Sequence, residues 1–153
     1  RNLWRFWYQL VAAGPLAGPA INGEPGFVTQ FTRMNVAHPE RWSDADFAIH
    51  ADAYRHPETV AATRRIYSDF LLREFVPVGM GRYQNVRAVI PTRYVLGRED
   101  KCISWELGGG IEAHGDDIAL EIWEDVGHFI PEEEPLRLAE FSKQFFQVET
   151  LHG

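Results

Sequence analysis

Apolar side chains in the first half of the chain recur at the three-and-four residue spacing of helices. One face of the first predicted helix carries Trp4, Trp7, Tyr8 and Val11. This helix ends at Gly14, which a proline follows, and a second helix is predicted over about 25–35. Ser43 with Asp46 three residues later indicates the capped start of a third helix. Pro57 begins a fourth, because proline is favoured at the first helical position.

The pattern changes near residue 77, where strand-like runs begin to alternate with helical ones. Residues 94–96 and 118–123 are short apolar runs, which are typical of strands that are buried on both faces. The polar stretch between them predicts a loop and a short helix, and 135–146 has the spacing of a closing helix. Strand, helix, strand and helix in this order predict a right-handed parallel crossover and an α/β fold.

Composition and charge narrow the function classes. The 153 residues, of which 45% are hydrophobic, are enough to bury one core. The 22 acidic residues outnumber the 15 basic ones and give a net charge of -7, so nucleic acid is not an expected partner. Cys102 is the only cysteine, which excludes an internal disulfide and fits a reducing compartment.

The ends and the hydropathy of the chain lead to two further expectations. No apolar run reaches the length of a membrane span, and the first residues lack a signal-peptide pattern, so we expect a cytoplasmic protein. The chain begins with Arg1 rather than Met, and an aromatic cluster follows at once. We therefore expect the polypeptide to extend further upstream.

Two polar loops leave the carboxyl ends of the predicted strands, where open α/β sheets bind ligands. Asp100 lies four residues past Leu96, and His128 lies five residues past Trp123. On neighbouring parallel strands the two side chains would meet, the carboxylate would fix the tautomer of the imidazole, and the other ring nitrogen would act as a base. An ordinary structural role in a loop is the alternative for both residues.

The sequence also resembles a known family. The stretch VIPTRYVLGREDKCIS, followed by IALEIWEDVGHFIPEEEPLRLAEFSKQFF, resembles the C-terminal part of α/β-hydrolases. In that family one strand ends in a glycine, two residues and an acid, and a later strand ends in Gly-His-Phe before a closing helix. The resemblance implies that Asp100 and His128 are the acid and the base of a catalytic triad.

The earlier stretches WRFWYQL and YRHPETVAATRRIYSDF resemble the helical cap of the epoxide hydrolase and haloalkane dehalogenase branch. The implied architecture is a partial α/β-hydrolase fold. A helical cap over residues 1–76 would precede the last parallel strands and helices of the hydrolase core over residues 77–153.

The nucleophile of that family has no counterpart in this sequence. The family carries it on an elbow of the form Gly-x-nucleophile-x-Gly, and no such stretch with serine, aspartate or cysteine occurs here. The resemblance therefore implies that the chain is inactive alone and that an upstream segment or a second chain completes it. In the complete epoxide hydrolase an aspartate would attack the epoxide, and His128, oriented by Asp100, would activate the water that hydrolyses the resulting alkyl-enzyme ester.

The resemblance further implies two cap tyrosines that donate protons to the epoxide oxygen. Tyr67 matches the second, while the first falls on Phe6 or, after a shift of two residues, on Tyr8. Phe6 at that position would favour a carboxylesterase or a haloalkane dehalogenase, with Trp7 facing a halide or forming a wall. Together with Trp4, these aromatic residues predict an apolar wall and a small hydrophobic substrate, although core packing is their alternative role.

No metal or other cofactor is predicted. His114 with Asp116 and Asp117 lacks the ligand spacing of known metal sites, and the three glutamates at 132–134 suit the start of a helix. A second class of function stays open beside hydrolysis. In that alternative the chain is a truncated, non-catalytic relative of the hydrolases that binds a hydrophobic ligand or a protein partner.

Overall fold

The computed structural model describes residues 7–14 and 25–150, in which a helical segment precedes a strand segment. The helical segment contains α1 (Trp7–Ala13), α2 (Pro25–Asn35), α3 (Asp44–Ala53) and α4 (Pro57–Asp69). These are the four helices that the apolar spacing predicts. Trp4 and Phe6 lie outside the described residues, as does the side chain of Trp7, whose backbone begins α1.

The N-terminus of α3 has the capping box that the sequence predicts. The Ser43 hydroxyl accepts a hydrogen bond from the Asp46 N–H at 3.3 Å, and the Asp46 carboxylate accepts one from the Ser43 N–H at 2.8 Å. The two bonds satisfy backbone groups that a helix start leaves unpaired. The helix that begins there buries Phe47 and Ala51.

The C-terminal end of α4 differs from an ordinary helix end. The chain continues as a π-helical turn over Phe70–Phe75 and then as α5 (Val76–Gly79). Pro77 has no N–H and its ring would collide with the carbonyl one α-turn earlier, so the wider turn accommodates it without ending the helical path. The periodicity of the sequence did not predict this widening.

The strand segment contains a parallel pair, β1 (Thr92–Gly97) and β2 (Ile118–Trp123). The register pairs Thr92 with Ile118 and Gly97 with Trp123, so both strands end at the same edge. The predicted parallel arrangement is confirmed. The prediction that β1 is buried on both faces is wrong for the described chain, since Tyr94 is 48% exposed. The faces of a parallel sheet are buried by helices that pack on each side of it, and the described residues leave the side of Tyr94 uncovered.

The connections around the sheet are short. Two 3-10 turns, Trp105–Gly108 and Ile111–His114, form the crossover between β1 and β2, and α6 (Ile130–Glu133) and α7 (Pro135–Thr150) follow β2. Phe141 of α7 packs edge-on against Trp123 at a ring separation of 5.8 Å. The closing helix is thereby fixed against the end of β2, next to the loop that carries His128.

Buried apolar side chains lie both between the helices and at the strand ends. Val28, Ala51 and Val60 form a cluster in the helical segment. Trp123 and Val126 are buried where the loops leave the sheet. A search of the described helices finds none with the length and hydropathy that crossing a bilayer requires.

Candidate active site

The loops that leave β1 and β2 are bonded directly to each other. The Arg98 N–H donates to the Trp123 carbonyl at 2.9 Å, and the Glu99 N–H donates to the Val126 carbonyl at 3.0 Å. A Cβ atom on Gly97 would lie 2.2 Å from the Val126 carbonyl oxygen, so this approach requires a residue without a side chain. The glycine at the end of β1 therefore allows the two loops to join.

Asp100 is buried, and its two carboxylate oxygens have separate partners. Oδ1 accepts hydrogen bonds from the backbone N–H groups of Cys102 at 2.7 Å and Ile103 at 2.8 Å. Oδ2 lies 2.9 Å from Nδ1 of His128. Two backbone donors fix the carboxylate, and its remaining oxygen is directed at the imidazole. The structure thus brings together the acid and the imidazole that the sequence analysis singled out.

His128 is held at its backbone as well as at its ring. Its N–H donates to the Asn35 carbonyl at 2.8 Å, which links the loop to the end of α2. Its side chain is 29% exposed, whereas that of Asp100 is 4% exposed. With Nδ1 donating to the carboxylate, Nε2 carries the lone pair that can accept a proton. The arrangement can therefore act chemically as a general base.

The loop before His128 turns at a residue that the sequence analysis did not identify. The residue with a left-handed backbone is Asp125, with φ of 61°. Gly127 serves a different need, because a Cβ atom there would lie 2.5 Å from the Asn35 carbonyl oxygen. The glycine before the histidine is thus required by the close approach of α2 rather than by the turn.

Glu133 fixes the His128 loop to the helical segment. Its Oε2 accepts hydrogen bonds from the N–H groups of Ala37 at 2.8 Å and Gly127 at 3.0 Å, and its Oε1 accepts one from Phe129 at 3.1 Å. From the sequence, residues 132–134 are predicted only as an acidic helix start, and the role of Glu133 is seen in the structure alone. An acidic residue shortly after a glycine-containing loop is a sequence signal for a carboxylate that binds the loop. Three adjacent glutamates carry this signal here, so the sequence does not indicate which of them binds it.

Tyr8 and Tyr67 face each other in the helical segment. Their rings lie 6.0 Å apart in an edge-on arrangement. Burial raises the pKa of Tyr67 to about 12, with smaller contributions from Tyr8, Tyr54 and Cys102. Burial also raises the pKa of Tyr8, and the nearby Cys102 and Asp100 add to the increase while a hydrogen bond with Gln9 opposes it. Both hydroxyls are therefore protonated at neutral pH and can donate hydrogen bonds.

A small apolar cavity adjoins the two tyrosines. Its volume is about 80 Å³, and it is lined by Tyr8, Ala12, Phe27, Val28, Phe31, Tyr54, Thr63 and Tyr67. It is smaller than the cavities of several hundred Å³ that usually hold ligands. The tyrosine pair thus borders apolar space.

Solved structures share this fold over nearly the whole chain. Cfl2 from Burkholderia cenocepacia matches 95% of the chain with a TM-score of 0.72 and 24% sequence identity. The epoxide hydrolase CorEH matches 94% of it with a TM-score of 0.73 and 17% identity. The juvenile hormone epoxide hydrolase of the silkworm Bombyx mori matches 99% of it with a TM-score of 0.68 and 14% identity. The fold is that of part of an α/β-hydrolase.

The likeness covers only a part of each of those proteins. The chain spans 49% of Cfl2, 50% of CorEH and 39% of the silkworm enzyme. No family model matches the sequence, and no curated protein matches it. At these identities the comparison establishes the partial α/β-hydrolase fold, and the activity has to be argued from the site.

A second cavity is larger than the one beside the two tyrosines. It has a volume of about 510 Å³ and runs between α3 and the turn that begins α7. Its lining includes Trp42, His50 and Glu132, and contains neither Asp100 nor His128 nor either tyrosine. Size alone would select this cavity, but we place the candidate site at the Asp100–His128 pair, where an acid and a base meet at the strand ends.

The acidic residues near His114 are engaged in ion pairs. Asp116 lies 2.8 Å from Arg87, and Asp117 lies 2.6 Å from Arg93. These pairs tie the crossover to the segment that enters β1. The two carboxylates therefore have a structural function within the hydrolase fold.

Proposed function

We propose that this chain provides the acid, the base and the cap of an α/β-hydrolase that hydrolyses epoxides of small hydrophobic molecules. The proposal rests on the 2.9 Å contact between Asp100 Oδ2 and His128 Nδ1 at the ends of neighbouring parallel strands. In this proposal Asp100 orients the imidazole, and Nε2 of His128 is the base. The division into a cap over 1–76 and a core part over 77–153 belongs to the same proposal.

The reaction proceeds in two steps. An aspartate outside this chain attacks an epoxide carbon, the ring C–O bond breaks, and the freed oxygen takes a proton from a tyrosine hydroxyl. In the second step Nε2 of His128 removes a proton from water, and the hydroxide attacks the carbonyl carbon of the alkyl-enzyme ester. The acyl C–O bond breaks, and the leaving alkoxide takes the proton of the new carboxylic acid, so that the diol leaves and the aspartate is restored. The proton on His128 returns to the tyrosinate.

Tyr8 and Tyr67 are the proposed proton donors of the first step. They face each other at 6.0 Å, and the pKa of Tyr67, about 12, keeps its proton in place until an alkoxide forms. Tyr8 is therefore the proposed partner of Tyr67. Paired hydroxyls suit an epoxide oxygen, which gains negative charge as the ring opens.

Carboxylester and haloalkane hydrolysis are the alternatives within this fold. The same acid and base serve all three reactions, and the nucleophile and the groups around the leaving atom distinguish them. The tyrosine pair favours the epoxide, because the opened ring leaves an alkoxide that needs a proton, whereas a departing halide needs none. Comparing turnover of an epoxide, an ester and a chloroalkane of equal chain length separates the three.

The rest of the proposed enzyme has to supply the nucleophile. The chain spans half or less of the length of the epoxide hydrolases that it matches. Large apolar side chains beside β1 are exposed, with Val89 at 83% and Ile90 at 69%. We propose that an upstream segment or a second chain covers them and carries the aspartate. The assembled hydrolase would act in the reducing cytoplasm, which suits the single cysteine of this chain.

Replacing His128 by alanine in the complete protein tests the function. We expect the first step to proceed and the second to stop, so that an alkyl-enzyme ester accumulates and kcat falls by about 10²- to 10⁴-fold. Intact-mass spectrometry after addition of an epoxide measures the covalent adduct. His114→Ala, which changes an exposed histidine of the crossover, is the matched control. Turnover of His128→Ala at the wild-type rate would remove His128 from the mechanism.

A further inference from the structure

Cys102 adds a third potential metal ligand to the acid and base. One ligand atom from each of Asp100, Cys102 and His128 lies within 4.8 Å of the other two. A carboxylate oxygen, a sulfur and an imidazole nitrogen are the three ligand types that zinc takes from proteins. Asp100 and Cys102 are buried, and His128 is half-buried at the edge of the site. The cluster thus has the donor set of a zinc site with one open coordination position.

We propose that Asp100, Cys102 and His128 form a binding site for a thiophilic divalent cation of the zinc type, and that the cation inhibits the base. Binding itself is independent of the hydrolase chemistry. The inhibitory effect rests on the proposed function. The site is thus a regulatory or inhibitory one rather than a source of catalytic metal.

The distances require only small movements of the ligands. Ligand atoms at zinc bond lengths in a tetrahedron are about 3.3 to 3.6 Å apart. Asp100 Oδ2 and His128 Nδ1 are 2.9 Å apart, so they need to separate by roughly half an ångström for a zinc ion to sit between them. The two backbone N–H groups on Oδ1 of Asp100 can stay in place during this change. The Cys102 sulfur lies within 4.8 Å of the other two ligand atoms and has to come to about 3.5 Å from each.

Charge and proton balance favour the bound state. The ionised carboxylate and a thiolate together neutralise the two positive charges of the cation. The thiol proton leaves to solvent when the sulfur binds, so binding strengthens as the pH rises. The ion takes the position of the Nδ1 proton, and the neutral imidazole then carries its proton on Nε2. An Nε2–H cannot accept a proton from water, which is the physical cause of inhibition.

The same donor set discriminates against hard cations. Mg²⁺ and Ca²⁺ prefer six or more oxygen ligands, whereas this cluster offers one carboxylate, one sulfur and one nitrogen. We therefore expect binding of Zn²⁺, Cd²⁺ and Co²⁺, and none of Mg²⁺ at comparable concentration.

Titration of the complete, chelator-treated protein with Co²⁺ tests the site. We expect a sulfur-to-cobalt charge-transfer band that Zn²⁺ abolishes by displacement and that Mg²⁺ leaves unchanged. Cys102→Ala should remove the band and weaken Zn²⁺ binding by more than about 10-fold, while His114→Ala should leave both unchanged. Cys102→Ser keeps the size of the side chain and serves if the alanine variant does not fold. Absence of the band from the wild type, or equal Zn²⁺ affinity in the cysteine variants, would overturn the proposal.

Activity measurements test the inhibitory part separately. Zn²⁺ should inhibit epoxide turnover by the wild type, and Cys102→Ser should require at least about 10-fold more Zn²⁺ for the same inhibition. Equal inhibition of the two proteins would refute the inhibitory role, even where the cobalt band is present. If the protein turns over no epoxide, the cobalt titration still decides the binding site, so failure of the two proposals can be distinguished.

Discussion

Asp100 divides its two oxygens between the backbone and His128. Oδ1 takes the N–H groups of Cys102 and Ile103, which follow it in the same loop, and Oδ2 takes the imidazole. The carboxylate can therefore rotate only by breaking buried hydrogen bonds, which cost about 1 to 3 kcal/mol each when left unpaired. The residue thus positions the imidazole through bonds that its own loop provides.

A single substitution, Tyr67→Phe, tests whether the folded protein keeps the phenol of Tyr67 protonated. The pKa of Tyr67 is raised from 10.0 to about 12, so between these values the unfolded chain ionises while the folded protein does not. The wild type should therefore lose stability as the pH rises through this window, and the phenylalanine variant should lose less. Urea midpoints at about pH 9 and about pH 11 measure the difference.

Tyr94→Phe, which alters a half-exposed tyrosine of β1, is the control for this experiment. It should retain the wild-type pH dependence. A wild-type loss of stability that Tyr67→Phe leaves unchanged would show that another group causes it. In the proposed enzyme Tyr67→Phe should also slow formation of the alkyl-enzyme ester, by about 10²-fold or more, because a proton donor is missing.

Among the elements, the four-residue helix α6 has a large influence on the position of His128. Glu133 at its end accepts hydrogen bonds from Ala37, Gly127 and Phe129, and so joins the end of the α2 region to both neighbours of His128. Bonds from backbone donors to a carboxylate are stronger than those between neutral groups. The position of the imidazole is therefore set by an element that follows it in the chain.

Glu133→Gln should loosen this connection. A neutral amide retains one acceptor oxygen for three donors, so we expect a loss of about 1 to 3 kcal/mol in the free energy of unfolding. Urea denaturation measures it. Because Glu133 positions His128, the imidazole NMR resonances of His128 should also shift, and the hydrolysis step should slow more than substrate binding.

Glu134→Gln alters the adjacent glutamate and is the matched control for this change. It should leave the His128 resonances and the stability close to the wild type. If both variants behave alike, the effect is one of charge at the helix start, and Glu133 has no special role.

The helices also show which features of the fold the local sequence pattern predicts. The spacing of apolar residues predicted α1 to α4, and the serine and aspartate pattern predicted the capping box of α3. The π-helical turn over Phe70–Phe75 was not predicted, because it depends on how the chain accommodates Pro77 within a continuing helical path. Local signals fix the start of a helix more firmly than the geometry in which it continues.

For the molecule as a whole, the exposed apolar surface is the main constraint. Tyr94 of β1 and the residues before it are exposed, and the described sheet has two strands with edges that can accept further strands. Such edges and apolar patches bind other chains when nothing covers them. We propose that the missing part of the hydrolase covers this surface.

We expect the 153-residue chain to self-associate when it is produced alone. Light scattering should show particles larger than a monomer, and co-production with the nucleophile-carrying part should yield a defined species. Val89→Lys with Ile90→Lys in the isolated chain should reduce the association, because two charges oppose edge-to-edge pairing. A monodisperse monomer of the isolated chain would contradict the proposal that a large partner surface is missing.

The sequence by itself determined which residues could meet at the strand ends. Strand spacing and chain order place the loops of Asp100 and His128 at the same edge of a parallel pair, so their encounter follows from local pattern and general topology. The helices and the parallel pairing were accessible in the same way, whereas the partial hydrolase fold was implied by the resemblance of the sequence to α/β-hydrolases. The catalytic roles of Asp100 and His128 remain predictions.

Only the tertiary structure decided how that pair is held. The bond from Ala37 to Glu133 joins residues 96 positions apart, and the need for glycine at 127 comes from the approach of the Asn35 carbonyl. The facing of Tyr8 and Tyr67 likewise depends on how α1 and α4 pack. Periodicity records which face of an element is apolar, whereas these contacts depend on where that face lies in space, which no local pattern contains.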